Sequence, residues 1–224
     1  MMDEKNINKQ YWSTARTHDV LAGVHFPGEE FIEQVPVGVD VLDVGCGNGT
    51  VSKYLQQNGC LVTGVDINQA IIDENKKTIP GIEFFCTDIT ERLPFTDDSF
   101  AAVVISYVLV SLIDDAQLAA AVSEIKRVLK PGGIVWVCEA THSPDYQDRY
   151  AAGKEMFGRE NIAVSFEKDS IGKETEVVKR IIRHFSSQEL VGLFSPLQEI
   201  FSEEIGKTSP SSGLTVQTLV KIFK

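Results

Sequence analysis

The chain lacks most of the features that mark specialised proteins, and each absence excludes a class. Its four cysteines, Cys46, Cys60, Cys86 and Cys138, have neither metal-ligand nor disulfide-framework spacing, so no metal centre is expected. Cys60, Cys86 and Cys138 lie in or beside apolar runs, where a free thiol packs as a small hydrophobe and fits a reducing, cytoplasmic compartment. No run of lysine and arginine occurs: 21 basic residues face 32 acidic ones, for a formal net charge of -11. That balance disfavours nucleic acid, whose partners carry a basic patch, and suits an uncharged or cationic small molecule. No apolar run approaches the roughly 20 residues of a membrane span, and the first residues are polar, so neither signal peptide nor membrane anchor is expected. No internal repeat is apparent, and nothing in the sequence specifies an oligomer.

What is present is an ordinary globular composition, 43% hydrophobic and 24% charged, over a length of 224 residues that suffices for one α/β domain with a full core. Short apolar runs alternate with helical patterns. Val39–Val44, Leu61–Val65, Ile82–Cys86, Ala101–Ser106 and Ile134–Cys138 read as buried strands. Between them, Val51, Tyr54 and Leu55 share a helical face that stops at Asn58-Gly59, and Asn68 N-caps a second helix that ends before Pro80-Gly81. Leu118, Val122, Ile125 and Leu129 mark a third helix, from about Asp115 to Lys130, stopped by Pro131-Gly132-Gly133. This alternation predicts a doubly wound, mostly parallel α/β sheet. Ser186 and Glu189 have capping-box spacing for a late helix, and Leu197–Ile205 with Leu214–Phe223 forms a terminal antiparallel hairpin.

The centre of the pattern is Val41-Leu42-Asp43-Val44-Gly45-Cys46-Gly47-Asn48-Gly49-Thr50, a strand that runs into a glycine-rich turn and then a helix. Glycines there let the backbone turn sharply and approach a ligand, and the helix start presents unpaired N–H groups. A dinucleotide fingerprint would be G-x-G-x-x-G, but Thr50 stands where its third glycine belongs. Asp43 precedes the loop; a carboxylate there repels a pyrophosphate and attracts an ammonium or sulfonium. Asp66 closes the second strand, 17 residues past Gly49, a separation suited to holding ribose hydroxyls. Asp88 follows the third strand. The specification is a ribose-bearing, cationic ligand at the carboxyl edge of the sheet.

These segments, with Gly64-Val65-Asp66-Ile67, Asp88-Ile89, Leu93-Pro94-Phe95, Ser99–Val104 and Leu129-Lys130-Pro131-Gly132-Gly133, resemble the class I S-adenosylmethionine-dependent methyltransferases, small-molecule (type 11-like) branch, over about residues 38–140. The resemblance implies a Rossmann-like, seven-stranded, mostly parallel sheet with an antiparallel last strand, S-adenosyl-L-methionine as cofactor and a small-molecule acceptor. It implies that Gly45, Gly47, Asn48 and Gly49 line the methionine part, with Asp43 near its amino group. Asp66 would hold the ribose hydroxyls with Ile67 against the adenine. Asp88 would accept from the adenine amine, Ile89 would pack on the ring, and Ser106 and Tyr107 would approach the methionine part. Relatives often carry a polar or histidine-bearing segment after the fourth strand; here it is Tyr107-Val108-Leu109-Val110-Ser111-Leu112.

One domain is expected, with residues 1–36 an N-terminal helical lid, 37–140 the cofactor-binding core, 141–185 a substrate cap insertion without strong periodicity, and 186–224 a C-terminal helix and β-hairpin. His142, past the fifth strand, is the best-placed general base, with His18 a second candidate, and Tyr11 and Tyr146 are candidate acceptor contacts. An NAD-type oxidoreductase and a catalytically silent cofactor- or partner-binding domain are the competing readings.

Overall fold

The computed structural model describes residues 4–14, 25–208 and 215–224. His18 lies outside the described residues. Five strands, β1 (Asp40–Val44), β2 (Leu61–Asp66), β3 (Glu83–Cys86), β4 (Phe100–Ser106) and β5 (Leu129–Thr141), run parallel. The hairpin β8 (Glu199–Thr208) and β9 (Thr215–Phe223) completes a seven-stranded sheet of order β3-β2-β1-β4-β5-β9-β8, with β9 antiparallel to both neighbours. This is the doubly wound, Rossmann-like α/β sheet expected from the alternation.

Helices cover both faces, so the central strands are buried throughout: Val41, Leu42, Val44, Val103, Val104, Ile105, Val135 and Val137 are each fully enclosed. The local signals act where the sequence puts them. The helix α3 (Thr50–Gln57) ends at Asn58, and α4 (Gln69–Thr78) starts with the Asn68 side chain accepting from the Ile71 N–H at 3.2 Å. The helix α5 (Asp115–Val128) stops two residues short of the expected end, because Leu129 already pairs with Phe100 as β5 begins. The helix α7 (Ser187–Phe194) carries a complete capping box: the Glu189 N–H donates to Ser186 Oγ at 3.1 Å and the Ser186 N–H to Glu189 Oε2 at 2.7 Å.

The segment 140–185 carries regular structure that its weak periodicity did not reveal. It folds as a short turn, Pro144–Tyr146, then α6 (Gln147–Phe157) and a separate antiparallel pair, β6 (Ile162–Lys168) with β7 (Glu174–Arg183). Strand periodicity is hidden because Ile162, Ala163, Val164 and Ser165 are buried in succession. One face meets α6 so closely that a Cβ on Gly153 would lie 1.9 Å from the Ile162 carbonyl oxygen. The N-terminal helix α1 (Glu4–Thr14) packs on β7. Its buried Asn8 amide accepts from the Ile181 N–H at 3.0 Å and donates at 2.7 Å to both the Ile181 and Ser111 carbonyls. A short helix α2 (Glu29–Ile32) precedes β1 and buries Phe31.

Candidate active site

The strand order reverses between β1 and β4, whose ends are paired through Val44 and Ile105. That switch point opens a crevice at the carboxyl edge of the sheet, where α/β folds bind ligands. The glycine loop turns there. Gly45 adopts φ 67° and a Cβ on it would lie 2.2 Å from Val108 Cγ2, so only glycine lets the loop lie against the segment after β4. Gly47 adopts φ 48° with nothing within 4 Å of its would-be Cβ, so the loop is open on that side. Gly49 takes φ 72° as the residue before α3, and Asn48 Oδ1 accepts from Thr50 Oγ1 at 2.6 Å, fixing the helix start.

Three carboxylates lie along the carboxyl ends of β1, β2 and β3. Asp43 is buried beneath it, with Ser52 Oγ of α3 donating to its Oδ2 at 2.5 Å. Burial pushes its pKa up to about 7 against the lowering effect of that bond, and the nearby Asp66 charge adds to the rise. Asp66 accepts from the Gly47 N–H at 3.0 Å through Oδ2 and from the Asn68 N–H at 2.9 Å through Oδ1. Burial raises its pKa while these backbone donors oppose the rise. Asp88 Oδ1 accepts from Thr90 N at 2.9 Å and Thr90 Oγ1 at 2.7 Å, and Oδ2 pairs with Lys9 Nζ at 2.8 Å. Burial alone would raise Asp88, but the Lys9 and Thr90 donors win and hold it below the ordinary range. Ile67 is half-buried beside Asp66, and Ile89 is buried beside Asp88.

The segment after β4 is fixed by a group that sequence reasoning did not single out. Glu139, fully buried on β5, accepts from the Val108 and Leu109 N–H groups at 3.0 and 2.8 Å through Oε1, and from the Val110 N–H at 3.1 Å through Oε2. Burial pushes its pKa up to about 8, with the three donors pulling the other way. Tyr107, at φ 55°, directs its hydroxyl to Thr218 Oγ1 of β9 at 2.5 Å, which leaves only its backbone and ring for the crevice. Ser106 is half-buried at the end of β4.

The cap residues form a second group. His142 is exposed and its ring stacks on Tyr150, centroids 4.6 Å apart. The Tyr150 hydroxyl accepts from the Ser143 N–H at 3.0 Å and meets His184 Nδ1 at 2.7 Å. Burial drives His184 down to about 4, so it stays a neutral structural imidazole. Tyr146 is buried against the His184 ring at 5.2 Å. Tyr11, on α1, stacks edge-on with Trp12 at 4.9 Å. Sequence reasoning also missed Asn8, Lys9 and Arg180, since their partners are remote in the chain and only tertiary packing brings them together.

No group of three or more potential metal ligands occurs among the described residues, and none of their helices is long and apolar enough to cross a membrane. The arrangement can instead accept hydrogen bonds from a ligand's ammonium, hydroxyl and amine groups along one edge, over a loop with space above Gly47. S-adenosylmethionine offers those groups, and the residues present fit it.

Comparison with known proteins agrees. A family model described as a methyltransferase domain matches residues 41–133. A demethylmenaquinone methyltransferase from Clavibacter sepedonicus is 33% identical over 141 residues, covering 61% of this chain and 50% of the relative. The chain thus spans about half the length of the curated relatives it matches. A solved S-adenosylmethionine-dependent methyltransferase from Methanosarcina mazei is 27% identical with a TM-score of 0.77, covering 89% of this chain and 98% of that one. A Burkholderia thailandensis 1,6-didemethyltoxoflavin-N1-methyltransferase, solved with its acceptor and S-adenosylhomocysteine, shares the fold at 16% identity and a TM-score of 0.57, covering 84% of this chain and 72% of that one. By sheet order, glycine loop and these likenesses, residues 41–133 carry a methyltransferase domain on the fold shared with S-adenosylmethionine-dependent methyltransferases.

Proposed function

We propose that this chain transfers the methyl group of S-adenosylmethionine to a small-molecule acceptor. The observation that carries the reading is the glycine loop at the switch point of the sheet, with Asp43, Asp66 and Asp88 at the carboxyl ends of β1, β2 and β3. The name of the Clavibacter relative, which specifies a quinone precursor, supports an acceptor that is a small molecule.

The sulfonium, when bound, supplies an activated methyl group, so the protein's task is binding and orientation. Asp66 offers the unused lone pairs of its two oxygens to the ribose hydroxyls, with Ile67 and Ile89 as apolar walls for the adenine. Asp88 accepts from the adenine amine, for which Lys9 must share or yield Oδ2. Asp43 retains one oxygen beyond the Ser52 bond to attract the ammonium, and that cation in turn favours the ionised carboxylate. Gly45, Gly47, Asn48 and Gly49 let the backbone approach the methionine part, while Ser106 and the Tyr107 backbone form its other side. A base is needed only for an acceptor that arrives protonated. His142 is the candidate at the cap, with His18 the second. Tyr11 and Tyr146, with the segment 141–185 and the N-terminal lid, shape the acceptor pocket.

Calorimetric titration with S-adenosylhomocysteine and with NAD tests the reading, and labelled methyl transfer to an acceptor panel tests turnover. Binding of the first alone is expected. Asp66→Ala should weaken it about tenfold or more, from loss of a hydroxyl contact to a charged group at roughly 1.5–3 kcal/mol. NAD binding in its place, or an unchanged affinity in the variant, would overturn the assignment.

A further inference from the structure

Lys9 of α1 reaches the carboxyl edge of the sheet, its Nζ 2.8 Å from Oδ2 of Asp88. Asp88 is the carboxylate proposed to accept from the adenine amine, so the N-terminal helix touches the cofactor crevice at that point. The contact is more than a loose surface pair. The Lys9 side chain is 54% exposed but that of Asp88 only 18%. The helix is also held on both sides of Lys9. The preceding residue, Asn8, donates at 2.7 Å to the Ile181 and Ser111 carbonyls and accepts from the Ile181 N–H at 3.0 Å. Further along, the Trp12 carbonyl accepts from Asn68 Nδ2 at 3.2 Å, just past Asp66.

The acceptor capacity of Asp88 decides what the pair leaves open. A carboxylate offers about four lone-pair sites, two on each oxygen. Asp88 Oδ1 takes the Thr90 N–H at 2.9 Å and the Thr90 hydroxyl at 2.7 Å, which fills it. Oδ2 takes Lys9, and a second site on that oxygen can receive an amine without displacing the ammonium. The bond to Asp88 raises the Lys9 pKa, so Lys9 stays a charged donor with further N–H groups to offer. The pair therefore presents an acceptor and a donor side by side, 2.8 Å apart. Adenine carries the complementary pattern, an amine donor next to a ring-nitrogen acceptor, which an Asn or Gln amide reads with its own adjacent oxygen and nitrogen.

We infer that Lys9 is a specificity residue for the cofactor: the Lys9–Asp88 pair stays intact, Asp88 accepts from the adenine amine, and Lys9 donates to the ring nitrogen beside it, N1 or N7. The inference rests on the methyltransferase reading and on Asp88 as the adenine acceptor. It adds that α1 supplies a contact to the base, so that the helix is part of the donor site as well as a cover for it.

Calorimetry on wild type and Lys9→Met tests it, with S-adenosylhomocysteine and its 1-deaza and 7-deaza analogues as ligands. Methionine keeps most of the side-chain length and removes the donor. The variant should bind S-adenosylhomocysteine about three- to tenfold more weakly, a modest loss because 54% of the Lys9 side chain is in water. Against one of the two analogues the variant and wild type should agree within about twofold, and that analogue identifies the nitrogen Lys9 contacts. Hydrogen exchange at Ile181 should be unchanged in Lys9→Met, which reports that the protein is folded and α1 still docked. Unchanged binding of S-adenosylhomocysteine in the variant overturns the inference. So does tighter binding, which would mean that Lys9 competes with the amine for Asp88. An equal loss against all three ligands overturns it too, because the effect would then pass through Asp88 and not the base. A loss accompanied by faster exchange at Ile181 assigns Lys9 to docking the helix, and overturns it likewise. All of these outcomes leave the methyltransferase reading standing. Failure of wild type to bind S-adenosylhomocysteine overturns that reading and this inference with it.

Discussion

Glu139 offers the sharpest test of how the site is held. Its two oxygens accept three consecutive backbone N–H groups, from Val108, Leu109 and Val110. Glu139→Gln preserves the volume. The amide oxygen can still accept from Val108 and Leu109, but the NH2 group then meets the Val110 N–H donor to donor. Leaving one buried backbone N–H unsatisfied costs about 1–3 kcal/mol. A second effect depends on pH. Burial raises the wild-type pKa from 4.5 to about 8 in the folded protein, so the folded state holds this proton more tightly than the unfolded chain does. The associated stabilisation is complete below about pH 4.5 and is lost as pH rises through about 8, at most about 4–5 kcal/mol in all. Glutamine does not titrate. The stability advantage of wild type over the variant should therefore be largest near pH 5 and shrink or reverse by pH 9. Comparing the two proteins cancels the parallel contribution of Asp43, whose pKa is also raised. Urea unfolding followed by fluorescence of the buried Trp136 reads it directly. An advantage that is constant or grows with pH would refute the reasoning, and would mean that the three N–H donors keep Glu139 ionised.

Two further outcomes follow from backbone geometry and from the lid. Alanine at Gly45 and at Gly47 should both destabilise by about 1 kcal/mol or more, since both glycines are left-handed. Gly45→Ala should lose clearly more, because its Cβ strikes Val108 whereas that of Gly47 meets nothing; equal losses in urea unfolding would refute the assigned contact. Asn8→Ala strands the buried Ile181 N–H and should cost about 1–3 kcal/mol. Hydrogen exchange should accelerate at Ile181 and stay slow at Val103 in the core. Unchanged protection at Ile181 would show that α1 does not pin the cap.

Much of the architecture was legible because its signals are local. Strands buried on both faces read as continuous apolar runs, and caps such as Asn68 and the Ser186–Glu189 box involve residues three apart. The cap hairpin was not legible. Its period-2 pattern is erased where α6 covers one side of β6 and consecutive residues 162–165 are buried. The same limit hid Glu139, which reads as one more acid at a strand end. Its role exists only because β4 and β5 are neighbours, which brings the turn 108–110 over its carboxylate.

The sequence by itself determined the donor end of this protein. A glycine turn with Asp43 before it, Thr50 behind it and Asp66 and Asp88 on successive strands specifies a ribose-bearing cation, because each residue acts within its own β-α unit. Tertiary structure alone decided how α1 meets the segment after β5. Asn8 meets Ile181 and Ser111, and Lys9 meets Asp88, only when α1 docks across β7. Contacts between residues far apart in the chain depend on how elements pack, and no local pattern encodes them.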